Sequence, residues 1–388
     1  MLKSMDEYFY VLTAINIFVL AFMSILVNIS ETLNSKQRSS FFTAYLLIAV
    51  ISVIEVVTVI VDQEPTVHHR YISIFSNFIG FGLTPFVPIC LVNVLTKKVD
   101  AKLHIKAAYL FGFIYLTFLA ISLPYEFVFS VNSDNEYSRG PGFPVYLVTY
   151  YLSMLYLMIA TLSTAKYFQN RSRLLIYPIT IFMMIGTATQ VLFPHIHITC
   201  LCVTLISVMY FIYCNEMWNQ LDGLTGLLNQ NSYLNRTAER YESDKGLIVF
   251  DVDNFKQVND IYGHLNGDIC LIEVADCIKK AYSRYGHCYR IGGDEFCVLM
   301  HDKTAITKCT DKFIKLLEKK RQQIEFIPAV SYGFAELSSN ENILDAKERA
   351  DKNMYIYKRE RKRRETVEAA FADEKGSFAV DDSKQVIL

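Results

Sequence analysis

The chain has 388 residues, a formal net charge of −1 and 52% hydrophobic residues. A charge so close to zero shows no general basic character, so the composition does not indicate a nucleic-acid-binding protein. The apolar fraction is too high for an ordinary soluble domain, and the excess lies before residue 216. The composition therefore predicts a membrane half followed by a soluble half.

The first half contains apolar stretches that are each close to the roughly 20 residues needed to cross a bilayer. There are seven, at 7–29, 40–62, 71–95, 104–130, 145–167, 173–193 and 196–214. They predict an α-helical seven-transmembrane bundle over residues 1–214, acting as a sensor domain in the lipid bilayer. Pro85 and Pro88 are expected to kink the third helix. The polar loop 131–144 is expected to be an exposed turn on the outer side.

Basic residues are concentrated in alternate loops of this half. These loops contain Lys36 and Arg38, then Lys97, Lys98 and Lys102, then Lys166, Arg171 and Arg173. Loops rich in Lys and Arg remain on the cytoplasmic side of a membrane. With seven spans, the N-terminus is therefore predicted outside and the residues after 215 are predicted inside, where they meet cytosolic nucleotides.

One acid, Glu55, lies deep in the second predicted span. An ionisable residue at that depth is costly and often faces the bundle interior with a functional role. Glu55 is therefore a candidate sensor residue for an unknown signal ligand. The alternative is a protonated acid bonded to a neighbouring helix, and the sequence leaves both interpretations open.

The nine cysteines form no CxxC pair and no metal-spaced set, so they are expected to be reduced packing residues. Residues 215–221 are expected to form a short helical linker. Helices follow at 230–243, 255–262, 267–284, 304–320 and 341–364, with strands at 247–251, 287–291, 295–300 and 328–335. This order of strands and helices predicts a ferredoxin-like α/β sandwich.

Two acidic segments of the soluble half are candidates for a metal–nucleotide site. Asp251 ends the first strand, and Gly292-Gly293-Asp294-Glu295-Phe296 forms a hairpin turn with open backbone beside paired carboxylates. Paired Mg²⁺ ions in phosphoryl transfer need such carboxylates, and Lys256 is placed to meet phosphate. Each part alone has a simpler explanation: an acidic surface turn, a helix N-cap at Asp251 and a solvated lysine.

A polar segment between two predicted helices runs from Asn259 to Asp268 and is punctuated by glycines. An amide and a carboxylate can complement the donors and acceptors of a purine edge. Asn, Asp and Gly also favour turns for purely local reasons, so turn chemistry is the alternative.

Together, these segments resemble the GGDEF family of diguanylate cyclases over about residues 215–364. The resemblance depends on motifs in a fixed order. They are Asp222-Gly223-Leu224-Thr225-Gly226-Leu227, Asp251-Val252-Asp253-Asn254-Phe255-Lys256, Asn259 with Gly263-His264 and Gly267-Asp268, Gly292–Phe296, Ser331-Tyr332-Gly333-Phe334-Ala335, and Ala350-Asp351-Lys352-Asn353-Met354-Tyr355 leading to Lys358.

The resemblance implies the roles of individual residues. Asp251, the Val252 carbonyl and Asp294 would bind two Mg²⁺ ions per active site, which Mn²⁺ can replace. Asp294 would also activate the ribose 3′-hydroxyl, and Glu295 would support the metal site. The implied substrate contacts are Asn259 and Asp268 for guanine, His264 beside the nucleotide, and Asn254, Phe255, Lys256, Gly292, Gly293, Lys358 and Lys362 around the phosphates.

The implied reaction joins two GTP molecules into cyclic di-GMP and releases two pyrophosphates. It requires a homodimer, because one domain holds only half of the product. The implied location is the inner membrane of a bacterium, with residues 222–364 as the cytoplasmic cyclase domain. Residues 365–388 are expected to be a disordered tail.

Two departures from the family pattern matter. Lys362 occupies a position where arginine is common, and lysine lacks the fork geometry of a guanidinium. The basic run 359–364 can alternatively lie on anionic lipid. At the inhibitory product site, Ser283 and Gly286 occupy the positions of the RxxD motif, which predicts weak or absent feedback.

Two other functional classes remain open at this stage. A degenerate domain would bind GTP or product without turnover, but such relatives usually lose the signature acids that are present here. A cyclase of relaxed base choice would also use ATP. The carboxylate of Asp268 argues against it, because it suits the guanine donors better than adenine.

Overall fold

The computed structural model describes residues 2–62, 66–95, 101–167, 174–193, 198–238, 243–338 and 341–381. The chain forms two compact units, Met1–Asn219 and Gln220–Leu388. They are called here the N-terminal unit and the C-terminal domain. The boundary between them falls inside the predicted linker 215–221, whose first five residues continue the last helix of the N-terminal unit.

The described part of the N-terminal unit is mainly helical. Its helices are α1 Leu2–Ile29, α2 Ser35–Val61, α3 Val67–Leu83, α4 Phe86–Val92, α5 Ala101–Ser122, α6 Phe143–Tyr167, α7 Ile176–Leu192 and α8 Thr199–Asn219. Among the described residues, six segments are long and apolar enough to cross a bilayer: Tyr8–Ile29, Ser35–Val61, Val67–Leu95, His104–Tyr125, Phe143–Lys166 and Thr199–Asn219. The α7 segment is apolar but shorter, so a multi-pass architecture is present and the count of seven spans is not confirmed.

Pro85 interrupts the third apolar stretch, as predicted, and Pro88 lies in the first turn of the helix that follows. Helix α3 ends at Leu83, and α4 begins at Phe86 directly after Pro85. Proline lacks the N–H that a continuous helix needs, and its ring excludes the preceding carbonyl.

The fourth apolar stretch is shorter than predicted. Helix α5 ends at Ser122, and Phe129–Val131 forms a strand, β1, that pairs with β2, Tyr137–Arg139. The predicted loop 131–144 is therefore partly a β-hairpin. The predicted orientation in the membrane depends on basic loop residues, and several of them lie outside the described residues, including Lys97, Lys98, Arg171 and Arg173. The orientation therefore remains a prediction.

The C-terminal domain is built on a four-stranded antiparallel sheet in the order β4-β5-β3-β6. The strands are β3 Gly246–Val252, β4 Gly286–Arg290, β5 Glu295–Met300 and β6 Val330–Glu336. The helices are α9 Gln230–Ala238, α10 Phe255–Tyr262, α11 His264–Tyr282, α12 Ile306–Gln323 and α13 Ile343–Asp381. This arrangement confirms the predicted ferredoxin-like sandwich.

The core of this domain lies between the sheet and helices α11 and α12. Alternate residues of β3, among them Phe250, face these helices because side chains of a strand alternate between its two faces. The Phe250 ring lies 5.6 Å from that of Tyr282 and 5.1 Å from that of Phe313. Helix α13 packs against β6 and β3, and a side chain at Gly333 would collide with the α13 backbone. Glycine at this position allows the close approach.

Four helices differ from the sequence prediction: α9 is Gln230–Ala238 rather than 230–243, with 239–242 outside the described residues, α12 is Ile306–Gln323 rather than 304–320, and α11 and α13 differ as follows. Helix α11 begins at His264 rather than 267, because Gly263 adopts φ +83° and turns the chain immediately before it. Helix α13 continues past residue 364 to Asp381, so the prediction of a disordered tail is wrong for residues 365–381, a segment rich in the helix-favouring residues Glu and Ala. The rest of the predicted tail, 382–388, lies outside the described residues. All nine cysteines are free, as predicted.

Candidate active site

The acidic residues of the candidate site meet at one edge of the sheet. Asp251 lies at the end of β3, opposite Glu295 of β5 and Ser331 of β6. One residue on, the Val252 N–H donates to the Asp294 carbonyl at 3.2 Å. Because β3 lies between β5 and β6, its end brings the Asp251 carboxylate beside the hairpin that carries Asp294 and Glu295.

The β4–β5 turn presents open backbone at this edge. The N–H groups of Ile291 and Gly292 donate to the Glu295 carbonyl at 3.0 and 3.3 Å and close the turn. A Cβ added to Gly293 would meet nothing within 4 Å, whereas one added to Gly292 would lie 3.2 Å from a Glu295 carboxylate oxygen. Among the described glycines, only Gly226 and Gly263 have positive φ. The two turn glycines therefore serve to leave space rather than to adopt a left-handed conformation.

A buried carboxylate, Asp253, organises a charge cluster beside Asp251. Its side chain is 3% exposed and accepts two contacts from the Ser331 hydroxyl, at 3.0 and 2.9 Å. The Lys358 Nζ lies 3.1 Å from Asp253 and also contacts Asp251, and an Arg361 nitrogen lies 2.5 Å from Asp253. These contacts join α13 to the end of β3.

The Lys358 ammonium is stabilised in its charged form by this cluster. Partial burial alone would lower the pKa of Lys358, but hydrogen bonds with Asp251 and Asp253 outweigh burial and raise the pKa above its ordinary value. The side chain therefore places a fixed positive charge beside Asp251.

The same residues fit a divalent metal ion that is completed by a substrate. Among the described residues, no group of three or more His, Cys, Asp or Glu side chains could hold a metal by itself. Asp251 already attracts a cation, the Lys358 ammonium, and Asp294 lies on the adjoining turn. Mg²⁺ commonly takes one or two carboxylates and completes its shell with water and phosphate oxygens.

The chain leaves β3 through a sharp turn into α10. Asn254 adopts φ +53°, in the left-handed region that asparagine tolerates better than most residues. Helix α10 begins at Phe255, and Lys256 is exposed in its first turn. The N–H groups at the start of a helix and a nearby ammonium both favour phosphate. These three residues therefore lie where phosphate binding is chemically reasonable.

The polar segment predicted to recognise a base lies at the junction of α10 and α11. A Cβ on Gly267 would collide with the Asn259 side-chain oxygen, so Asn259 lies directly on Gly267. Asp268 follows Gly267 and is exposed, as is His264 at the start of α11. Asn259 on α10 is therefore in contact with Gly267 on α11, the residue that precedes Asp268.

Arg290 connects the glycine turn to the beginning of the domain. It donates to the Gly293 carbonyl at 2.7 and 3.2 Å and to the Asp222 carboxylate at 3.1 and 3.3 Å. Burial opposes ionisation of Asp222, but hydrogen bonds from Thr225 and Arg290 outweigh it and hold the pKa of its carboxyl below its ordinary value. Arg290 was not singled out by the sequence analysis.

The comparison with protein families identifies this part of the chain. Residues 219–364 match the family model described as "Diguanylate cyclase, GGDEF domain". Residues 219–364 are a GGDEF domain.

Individual relatives cover the GGDEF domain and little else. The chain is 34% identical over 147 residues to the diguanylate cyclase DgcS of Shewanella oneidensis, covering 36% of this chain and 50% of the relative. It is 35% identical over 134 residues to an uncharacterised membrane protein of Staphylococcus saprophyticus, covering 32% and 36%. The chain thus spans half or less of the length of these curated relatives.

Among solved structures, the GGDEF domain of DgcB from Caulobacter crescentus, crystallised with c-di-GMP, is similar at 29% identity. That similarity covers 36% of this chain and 90% of the DgcB chain, with a TM-score of 0.32.

The GGDEF domain brings together most of the predicted site residues. Asp251, Asp294, Glu295 and Lys358 meet at the sheet edge, and Asn259 lies beside Gly267 and Asp268. Lys362 is different: it is exposed, and the α13 residue that pairs with Asp253 is Arg361. Arg361 and Lys362 are the third and fourth residues after Lys358, and both positions lie near the same face of α13 as Lys358. The spacing in the sequence therefore does not show which of the two contacts Asp253.

Asp253, Ser331 and Arg361 were missed as members of the cluster. The signal for the first two was their place inside the motifs 251–256 and 331–335.

At the predicted inhibitory site, Ser283 and Gly286 stand in place of the arginine and aspartate of the RxxD motif, and the structure gives a reason for the second of these replacements. Ser283 follows the last residue of α11, and Gly286 begins β4. A Cβ on Gly286 would lie 2.5 Å from the Leu299 carbonyl oxygen on the paired strand. An aspartate at position 286 would therefore require the β4–β5 ladder to shift.

Proposed function

We propose that this protein is a membrane-bound diguanylate cyclase that condenses two GTP molecules into cyclic di-GMP and two pyrophosphates. The observation that carries the proposal is the convergence of Asp251, Asp294 and Lys358 at one sheet edge of a GGDEF domain. The relatives named diguanylate cyclase support the same reaction, although they match only this domain.

In the proposed reaction, the ribose 3′-oxygen of one GTP attacks the α-phosphorus of the other. A new P–O bond forms, the bond between the α- and β-phosphates breaks, and pyrophosphate leaves. Asp294 accepts the proton of the attacking hydroxyl, and Glu295 supports the metal site. A second, equivalent step closes the ring.

The remaining residues bind and orient the nucleotide in this scheme. Lys358 and Lys256 balance phosphate charge, with the backbone of Asn254 and Phe255 at the start of α10. Asn259 and Asp268 orient guanine, and His264 borders it. Bound Mg²⁺ ions, held by Asp251, Asp294 and the Val252 carbonyl, would neutralise charge that develops on the phosphates.

Three further features belong to the same proposal. Two domains face each other in a homodimer, because each supplies one GTP. The protein lies in a bacterial inner membrane with its N-terminus outside and the GGDEF domain in the cytoplasm. A signal sensed by the N-terminal unit regulates turnover.

The proposal is tested by turnover of the detergent-purified full chain with GTP and Mg²⁺. Asp251→Asn is expected to lower the rate of cyclic di-GMP formation by at least about 100-fold, because a metal-binding and charge-stabilising group is lost. Asp311→Asn is the matched control, since Asp311 is exposed on α12 and has no part in the proposed site. Equal rates for the two variants would contradict the assignment of the site.

A further inference from the structure

Helix α12 presents a row of lysines to solvent. Its members are four, three and four residues apart, so they fall on one face of the helix, and their side chains are exposed. They are called here the α12 lysine row: Lys308, Lys312, Lys315 and Lys319. The opposite face carries buried residues of the core, Cys309, Phe313 and Leu317. Helix α12 therefore has an apolar inner face and a basic outer face.

The charge of this helix differs from that of the chain as a whole. Helix α12 contains six basic and two acidic side chains, although the formal net charge of the chain is −1. The two acids, Asp311 and Glu318, are exposed along one flank of the row. Like charges four residues apart destabilise a helix, so the stability of α12 does not account for the row.

The ammonium groups of the row have few partners within the domain. Lys312 donates to the Lys280 carbonyl at 2.6 Å, a neutral group that leaves its charge in place. Among the described residues, no carboxylate forms an ion pair with the other three members of the row. The neighbouring Lys320, which lies off the row, does pair with Glu273 at 2.5 Å. The row therefore offers its charges to a partner outside the domain.

The row lies on a different face of the GGDEF domain from α13. Phe250 of β3 faces α11 and α12, whereas its neighbour Val249 pairs with Gly333, where α13 approaches the sheet. Since neighbouring side chains of a strand point to opposite faces, α12 and α13 lie on opposite faces of the sheet. The row also shares no residue with the candidate active site, so nucleotide binding does not account for it.

The chain keeps this domain beside a membrane. Helix α8, which is long and apolar enough to span a bilayer, ends at Asn219, and the C-terminal domain begins at Gln220. Because no residue separates the two, the domain remains close to the bilayer surface. A leaflet that contains anionic lipid attracts exposed lysines within one Debye length, about 8–10 Å at physiological salt. The lysine row is therefore held where an anionic surface is abundant.

We propose that the α12 lysine row docks the GGDEF domain on anionic lipid headgroups of the membrane that holds the N-terminal unit. An ammonium on a flexible stem is a point charge without fixed fork geometry, which suits a fluid surface of phosphate groups. The row extends along about 16 Å of helix, so it can contact several headgroups at once. The proposal rests on the membrane location of the protein and does not depend on the cyclase activity.

The experiment compares the full chain in two kinds of lipid nanodisc, one of phosphatidylcholine and one of equal parts phosphatidylcholine and phosphatidylglycerol. Lysines are acetylated with an amine-reactive reagent, and the rate at each lysine is followed by mass spectrometry. Lys308, Lys315 and Lys319 are expected to react at least about threefold more slowly in the anionic discs. Lys352, which is exposed on α13, is the internal reference and should react equally in both. Salt at about 1 M should remove the difference, because the Debye length falls to about 3 Å.

Two variants locate the contact, with Lys319 as the reporter in both. In Lys308→Gln/Lys312→Gln/Lys315→Gln, the acetylation rate of Lys319 is expected to become nearly equal in the two discs, because most of the attraction is lost. The matched control removes three exposed charges from the basic run 359–364, in Arg359→Gln/Arg363→Gln/Arg364→Gln. In this control, Lys319 should still react more slowly in the anionic discs.

Four outcomes would overturn the proposal. The first is equal acetylation of the row in both discs at low salt. The second is slower acetylation of Lys352 alone in the anionic discs, which would place α13 on the lipid. The third is slow acetylation of Lys319 that persists in the row variant. The fourth is slower acetylation of the row on addition of a DNA duplex but not in anionic discs, which would identify a nucleic acid as the partner. Salt-sensitive slowing that only the row variant abolishes would support the proposal.

Discussion

The substitution Asp253→Asn tests whether a buried charge holds Lys358 beside Asp251. Asp253 is 3% exposed and contacts Lys358, Arg361 and the Ser331 hydroxyl. Asparagine keeps the shape of the side chain and still accepts from Ser331. It removes the negative charge, so Lys358 and Arg361 both lose their ion pair with Asp253, while Lys358 keeps its contact with Asp251.

The size of the effect follows from the exposure of the partners. Hydrogen bonds to charged groups are worth about 1.5–3 kcal/mol each. The Lys358 and Arg361 side chains are 26% and 19% exposed, so water replaces part of each lost interaction and the lower end applies. We therefore expect the free energy of unfolding to fall by about 3 kcal/mol, which lowers the Tm by roughly 6–12 °C.

The measurement is urea and thermal unfolding of residues 220–388, which have their own buried core. Asp311→Asn is the control because it makes the same chemical change at an exposed position on α12. In the full chain, the KM for GTP is expected to rise about tenfold, since Lys358 would lose one of the two carboxylates that position it. A loss of stability below about 0.5 kcal/mol, the size of an ordinary surface effect, would refute the reasoning.

Three further predictions concern other parts of the GGDEF domain. Gly267→Ala should displace the Asn259 side chain and raise the KM for GTP about tenfold, while Gly223→Ala, where a Cβ meets open space, should not; equal KM values would argue against close packing at Asn259. Asp222→Asn should lower the stability of residues 220–388 by about 1–2 kcal/mol at pH 7. Because the folded-state pKa of Asp222 is lowered, the contribution of its carboxylate to stability is present above about pH 4 and is lost as pH falls through the folded-state pKa. Urea unfolding should therefore show the difference in the free energy of unfolding between the wild type and Asp222→Asn becoming smaller over that pH range. Added cyclic di-GMP should inhibit turnover weakly, because Ser283 and Gly286 occupy the RxxD positions; tight inhibition in a kinetic assay would show that another product site exists.

The sheet of the GGDEF domain could be predicted because its strands are apolar runs bounded by turn residues. The predicted strand 295–300 agrees with β5, and 247–251 lies within β3. Once these strands are paired, Asp251 and Asp294 must come close, since both lie at the same edge. The local sequence pattern was sufficient here because the residues that meet in the site lie at the ends of strands that the pattern predicts.

Two features depended on contacts that no local pattern shows. Phe129, the first residue of β1, belongs to the apolar stretch that was predicted to form the fourth span. The hairpin β1–β2 is held by side chains distant in sequence, including Arg70, which donates to the Val131 carbonyl. The choice of Arg361 over Lys362 depends on the exact rotation of α13 against β6, which Gly333 permits by its lack of a side chain. Both are tertiary effects, so spacing alone did not predict them.

The most direct test of the central claim is product formation by the detergent-purified full chain with GTP and Mg²⁺, measured beside Asp294→Ala/Glu295→Ala. The account predicts cyclic di-GMP and pyrophosphate in a ratio of about one to two from the wild type, as the two condensation steps require, and none from the variant. If the full chain forms no cyclic di-GMP, residues 220–388 joined to a dimerising helix should form it. Absence of cyclic di-GMP from both, or equal product from the variant, would contradict the account.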